Sequence, residues 1–342
     1  MSLLPFSLPK VGLTIDSRMI GFARITRIRP LVYPRIVVQS YDTRQLPPGV
    51  VTVSHAEPNI KDTNAVVSAV LGLTAGRGTT GRARVPVSLT LHGLCARIAL
   101  LEFERFPEKE PERSALLAWR FQKDFHLTTT NARLAYRVFG TAKPHESVRV
   151  LAGLIQLPII EQYESVCEEA GLIPTAVGLS VFRIFDLCRL VVATHAAHAE
   201  EVFFLFFEEE SFSFFALRDS VPVFVRVKGI GECHEGAGEA YRSGIANEVR
   251  ATLQFYDDRI RKQPWQHGGD APARPLFVFD GCSNHDEPSI ERASTLDRLA
   301  KASLGIHEFS LEPDGILRSR LIGTKGAVPA KGLLALSGVL AA

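Results

Sequence analysis

VGLTIDSRMIGFARITRIRPLVYPRIVVQ, residues 11–39, and VFFLFFEEESFSFFALRDSVPVFVRV, residues 202–227, decide the fold, because they open two separated parts of the chain in the same way. In the first, VGLTI, IGFARIT and LVYPRIVVQ are short β-branched and aromatic runs, broken at Asp16 to Arg18 and at Arg29-Pro30 as in a three-stranded meander. In the second, VFFLFF, FSFFAL and VPVFVRV are broken at Glu208 to Glu210 and at Arg218 to Ser220. A helical stretch follows each meander, Asn64 to Leu73 and Glu239 to Arg261, and each half therefore predicts a mixed sheet covered by helices. Two similar α/β lobes are expected.

Outward from the first meander, VPVSLTLHG (85–93) and CARIALLEF (95–103) read as strands, and Pro107 to Pro111 introduce a helix. Leu117, Phe121 and Phe125 recur at i, i+4 and i+8 and share a core-facing side of it. Val148 to Leu157 reads as a strand and Ile159 to Ala170 as a helix, with Tyr163, Val166 and Ala170 inward and Gly171 as its stop. IPTAVGLS and a helix over Val181 to Val192 complete a βα pair for the first lobe's sheet. The expected boundaries are 1–84 and 144–200 for the first lobe, 85–143 for an inserted subdomain, 201–331 for the second lobe and 332–342 for a C-terminal helix. Lys262 to Pro275, rich in Pro, Gly and charge, reads as a loose segment of the second lobe.

Composition narrows the function classes. A chain of 342 residues can bury a sizeable core and divides more naturally into two domains than one. A net charge of +2 leaves no electrostatic footprint for nucleic acid or an anionic membrane. Cys95, Cys167, Cys188, Cys233 and Cys282 are odd in number and form no C-x-x-C pair, so a reducing cytoplasm is expected rather than a disulfide framework or zinc ribbon. MSLLPFSLPKVG lacks the features of a signal peptide, and the apolar tail Gly332 to Ala342 is too short to span a bilayer. Membrane association is expected only through a partner.

A duplicated meander lobe with an insertion resembles the actin-like ATPase fold, an α/β architecture whose lobes are ribonuclease H-like. The details resemble the PilM family of type IV pilus assembly proteins. VGLTIDSRMIGFARI is similar to the family's opening hairpin, and FERFPEKEPERSALLAWRFQKDF to the proline-acidic helix of its inserted subdomain. IIEQYESVCEEAGLIPTAVGLSVFRIF, IANEVRATLQFYDDR and the tail from VFDGCSNHDE to AVPAKGLLALSGV resemble later family segments in the family's order.

The resemblance implies what to look for at the turns. Actin-like proteins hold ATP between the lobes, where glycine-rich hairpins let backbone N–H groups approach the phosphates and an Asp on each strand organises Mg²⁺. Here Thr14 stands at the family's Asp position, Asp16 at its Gly and Gly21 at its Lys. A one-residue slip would restore Asp16 as the acid, but Ser17 and Arg18 still supply no glycine. In the second hairpin Phe206 stands for the Asp and Glu208 for the Gly, and Glu209 and Glu210 follow, which puts three carboxylates at the cleft mouth. Like charges a few ångströms apart cost on the order of a few kcal/mol even at a surface-like dielectric, which disfavours a triphosphate there. Asp280-Gly281-Cys282 keeps one glycine of the usual two. Thr14, Asp16, Ser17, Phe206, Glu208 and Gly281 thus form a degenerate cleft, for which no cofactor is expected. ATP and Mg²⁺ would return only under a different alignment of the hairpins. A plainer reading stands beside this one, with Thr14 and Phe206 as core strand residues and Glu208 to Glu210 as a solvated turn.

Other motifs carry less. Gly76-Arg77-Gly78-Thr79-Thr80-Gly81 matches G-x-G-x-x-G but follows a helix and precedes a strand, the reverse of a dinucleotide site. Cys282 and His285 with Cys233-His234, or His195 with His198, lack the partner set of a zinc centre. No G-x-S-x-G, P-loop or H-E-x-x-H occurs.

The resemblance implies a scaffold or adaptor rather than an enzyme. PilM-like proteins sit at the cytoplasmic face of the inner membrane, where a groove beside the inserted subdomain takes up the N-terminal tail of a bitopic PilN-like pilus assembly protein. Phe103, Phe106 and Trp119 are candidates for lining such a groove, and equally for the subdomain's own core. Two rivals are a working actin-like ATP-binding protein or ATPase, and an L-type component of type II secretion or a related appendage system.

Overall fold

In a computed structural model, residues 9–28, 35–75, 84–139, 147–195, 199–230, 238–261, 274–281, 306–319, 322–324, 328 and 330–340 are described. The first meander forms β1 (Val11–Ile15), β2 (Met19–Ile28) and β3 (Arg35–Gln45), antiparallel throughout. Beyond β1, β4 (Val85–Leu91) runs parallel to it and β8 (Leu172–Leu179) parallel to β4. The second meander forms β9 (Glu201–Glu208), β10 (Ser211–Arg218) and β11 (Val221–Gly229), extended in parallel by β12 (Arg274–Asp280) and β13 (Ile306–Ser310). The two sheets share one strand order: β3-β2-β1-β4-β8 in the first and β11-β10-β9-β12-β13 in the second. The duplication expected from the two meanders is therefore a duplication of topology.

The subdomain is a separate sheet of β5 (Arg97–Phe103), β7 (Val148–Gln156) and β6 (Ala132–Phe139), in that order, covered by α2 (Glu110–Phe125). This corrects the boundaries 85–143 and 144–200. The parallel pairing of β4 with β1 holds residues 85–91 in the first lobe, and the pairing of β7 between β5 and β6 brings residues 148–156 into the subdomain. Leu117 and Phe121 of α2 are fully buried there with Phe103, and Phe125 packs against them, as their spacing required.

Helices cover the sheets. α1 (Thr63–Thr74) is capped by Asp62, whose carboxylate accepts the Ala65 N–H at 3.0 Å. With α3 (Leu157–Glu169) it covers the Leu13 and Ile15 face of β1, and α3 ends at Gly171 with a φ of 77°. α4 (Ser180–His195) and a C-terminal helix lie on the opposite face, between the lobes. α5 (Gly238–Phe255) runs on into a π turn at Tyr256–Arg261 and covers the outer side of the second sheet with Ile245, Val249 and Leu253. β9 is consequently apolar on both faces: Phe203, Leu205 and Phe207 meet α5, while Phe204 and Phe206 face the core shared by the lobes.

After α6 (Pro313–Ser319), the chain returns to the first lobe. β14 (Ile322–Thr324) pairs with β3, and α7 (Ala330–Leu340) packs across β1, β2 and β4. Residues 322–324 and 330–340 thus belong with the first lobe rather than with 201–331 or a separate 332–342 unit. No described helix is long and apolar enough to cross a membrane. Leu31 to Pro34, the glycines at 76–81, residues 262–273, Cys233-His234, His198, Cys282 and His285 lie outside the described residues.

Candidate functional site at the junction of the lobes

The two hairpins have the same register. Asp16 faces Met19 across the two-residue turn Ser17-Arg18, and Glu208 faces Ser211 across Glu209-Glu210, so the two acids hold the same position in the two lobes. Both side chains are buried, Glu208 with only 1 % exposed. The parallel register of β4 with β1 pairs Leu91 with Ile15, which sets the next residue, His92, beside Asp16. His92 Nε2 lies 3.9 Å from Asp16 Oδ1 and 3.9 Å from Glu208 Oε2, and 3.5 Å from Ser211 Oγ. One imidazole therefore sits between an acid of each lobe.

His92 also starts the 3-10 turn Gly93–Cys95, where its Nδ1 accepts the Leu94 N–H at 3.0 Å. That bond places the proton of the neutral ring on Nε2, pointing at the two carboxyl groups. The three groups are close enough to surround a cation, with ligand atoms within 4.8 Å of one another. A metal-bound histidine, however, donates its outer N–H to an acceptor, and here the outer nitrogen faces an N–H instead. The cluster does not fit a metal centre. Burial, together with the charge of Asp16, pushes the Glu208 carboxyl above the usual carboxylate range against the pull of His92.

The backbone donors that a phosphate would need are already engaged. Asp16 N–H donates to Met19 O at 2.8 Å, Ser17 N–H to Asp16 Oδ1 at 2.7 Å, Gly93 N–H to Glu208 Oε2 at 3.3 Å and Gly281 N–H to Phe207 O at 3.0 Å. That donor set, facing two carboxyl groups, does not fit a triphosphate with its Mg²⁺. Thr14 is buried and its hydroxyl donates to Thr90 O at 3.3 Å. Phe206 is a core residue stacked on Phe279 with ring centroids 5.8 Å apart, so it does not face a cleft. Gly281 is glycine because a Cβ there would come within 2.8 Å of Phe207 O, which is a packing requirement. The expectation of three carboxylates at the mouth is corrected: Glu208 turns inward to Gly93 and His92, while Glu209 and Glu210 stay half-exposed at the turn.

Sequence reasoning missed His92, Gly93 and Arg183. Arg183 of α4 reaches under β4, where Nη1 donates to Leu89 O at 2.8 Å and Nη2 to Ser88 Oγ at 2.9 Å, and burial draws its pKa down to about 10. The signal for His92 was the end of VPVSLTLHG: in a parallel pair, the residue after one strand lies beside the residue after its neighbour.

A second feature lies beside the subdomain. Ala135, Tyr136 and Arg137 of β6, Leu151 of β7, and Phe182, Phe185 and Asp186 of α4 line a groove of about 260 Å³. Arg137 and Asp186 form an ion pair across it. None of the three expected lining residues is there. Phe103 is buried in the subdomain core, Phe106 packs on Phe103 and Tyr136, and Trp119 is 51 % exposed under Lys123 on α2.

No protein family and no curated protein matches the chain. Solved structures do. The chain is similar to one in a PilM–PilN type IV pilus biogenesis complex, with 16 % identity and a TM-score of 0.66 over 98 % of this chain and 96 % of that one. Looser likenesses are a Bacteroides thetaiotaomicron protein with an actin-like ATPase fold and unknown function, at 10 % identity and a TM-score of 0.48 over 94 % and 99 %, and the cytoplasmic domain of EpsL, an inner membrane component of the Vibrio cholerae type II secretion system, at 9 % and 0.41 over 86 % and 94 %. The fold, two duplicated α/β lobes with a subdomain inserted in the first, is the actin-like architecture, and it matches the chain of the pilus complex from end to end.

Proposed function

We propose that this chain is a scaffold or adaptor of a type IV pilus-like assembly platform at the cytoplasmic face of an inner membrane. It holds the N-terminal tail of a bitopic PilN-like protein and works without binding or hydrolysing ATP. The observation that carries this reading is the end-to-end likeness, subdomain included, to a chain from a complex named for PilM and PilN. The groove between β6 and α4 supplies the place for the tail. β6 is at the edge of its sheet, and Phe182 and Phe185 offer an apolar floor, so an extended peptide can add main-chain hydrogen bonds along the strand and seat alternate side chains beneath it. The engaged N–H groups at the hairpins and the inward carboxyl groups support the nucleotide-free part of the reading.

The test is a titration of a labelled peptide, matching the cytoplasmic tail of the partner, into the full chain, alongside calorimetric titration of ATP with Mg²⁺. Saturable peptide binding with no heat from ATP is expected. Micromolar ATP binding would return the chain to the nucleotide-dependent class, and absence of peptide binding would remove the adaptor role.

A further inference from the structure

We propose that Glu208 is a built-in plug, whose carboxyl group crosses from the second lobe to the Gly93 N–H of the first and closes the junction where an external anion would otherwise seat. The proposal rests on the nucleotide-free reading above and explains it from within the chain. It does not depend on the peptide groove.

Three observations point to it. The Gly93 N–H has Glu208 Oε2 as its acceptor at 3.3 Å, a bond between residues of different lobes. The approach is tight: a Cβ on Gly93 would fall 2.4 Å from Val181 Cγ2 and 3.0 Å from Glu208 Oε2, so only glycine admits the carboxyl group. Around it the polar groups are those of an anion site. Ser180, the first residue of α4, lies beside the Glu208 carboxyl, and its hydroxyl is buried with no hydrogen bond in good geometry. A helix start, a backbone N–H, the Ser180 hydroxyl and the His92 Nε2–H together suit a small oxyanion. The protein meets them with its own carboxyl group.

The plug also joins the lobes. The Gly93–Cys95 turn of the first lobe packs on β10 and β11 of the second, and Glu208 reaches back across this contact, as Ser211 does to His92. Among the described residues, Asp16, His92 and Cys95 are the titratable groups around it, from the turn after β1, the end of β4 and the 3-10 turn itself.

The experiment is thermal unfolding of the full chain with and without pyrophosphate, for the wild type, Glu208→Ala and Glu208→Gln. The wild type is expected to ignore pyrophosphate. Glu208→Ala is expected to melt lower and to be shifted upward by pyrophosphate. Glu208→Gln keeps the shape and the acceptor, so it should fold and remain indifferent. A wild type stabilised by pyrophosphate, or a folded Glu208→Ala that ignores it, overturns the proposal. Should the alanine variant not fold, backbone hydrogen exchange of the wild type decides. Gly93 should be protected like the β9 amides, while exchange roughly tenfold or more faster than theirs would mean that the bond to Glu208 is not held.

Discussion

Gly12 and Ala335 meet backbone to backbone: a Cβ on Gly12 would lie 2.0 Å from the Ala335 carbonyl oxygen. The C-terminal helix therefore rests directly on β1, and any side chain at position 12 lifts it. Gly12→Ala is expected to cost about 1–3 kcal/mol, the range for overpacking a dense core. Urea unfolding should show a lower midpoint with an unchanged slope. A midpoint equal to that of the wild type would mean that α7 is not seated on β1.

Phe206→Asp tests whether position 206 is a vacated acid site or a core position. Phe206 is fully buried and stacked on Phe279, so an aspartate there loses the ring and buries an unpaired carboxylate. A loss of at least about 3 kcal/mol is expected, with no gain of nucleotide binding. A stable variant that binds ATP would refute the core assignment.

Glu208 predicts a pH dependence whose sign follows from its raised pKa. The folded state holds this proton more tightly than the unfolded chain. Its contribution is complete below the unfolded value of about 4.3 and is lost as pH rises through the folded value, at up to about 1.4 kcal/mol per pH unit. Glu208→Gln cannot lose that proton. The variant should therefore gain on the wild type in melting temperature as pH rises, and parallel curves would contradict a carboxyl group that burial keeps protonated.

Glu201 predicts the opposite limb. Burial alone would raise its pKa, but hydrogen bonds from Tyr256, Arg274 and Arg218 outweigh burial and hold it below the usual range. Its contribution is present above about pH 4.3 and disappears as pH falls through the lowered value. Glu201→Gln leaves Arg274 short of one partner in a site where both are nearly buried, at a cost of about 3 kcal/mol at neutral pH. That deficit should shrink in acid, and a deficit independent of pH would mean that the ion pair is not its source.

Ala135→Arg should block the groove between β6 and α4 without disturbing the fold, because Ala135 is exposed on its strand. Peptide binding should fall at least about tenfold, equivalent to about 1.4 kcal/mol. Trp119→Ala, on the far side of α2 from that floor, should bind as the wild type does. The reverse pattern would move the partner site to α2.

Much of the fold was legible because the meanders carry their own punctuation. Asp16 to Arg18 and Glu208 to Glu210 mark the two hairpin turns, and Leu117, Phe121 and Phe125 keep a helical period. The domain boundaries were less legible, because parallel pairing leaves no local mark. Nothing in VPVSLTL announces that it lies beside VGLTI, nor in VRVLAGLIQ that it lies between CARIALLEF and ARLAYRVF. The junction was half legible. Asp16 and Glu208 stand out as acids where a phosphate-binding turn needs glycine, but the direction of Glu208 depends on Gly93, a contact across 115 residues. Phe103 shows the same limit in reverse, since an aromatic residue looks like a binding residue until its neighbours place it in a core.

The strand Ile322–Thr324 and the helix Ala330–Leu340 complete the first lobe after the whole second lobe has been made. Order of synthesis and order of assembly therefore disagree. While the ribosome builds the second lobe, one face of the first sheet, with Gly12, Ala23, Ile25 and Val38 upon it, waits without its covering helix. The two lobes must mature together, and a nascent chain halted after β13 would carry an open apolar face that invites chaperones or aggregation.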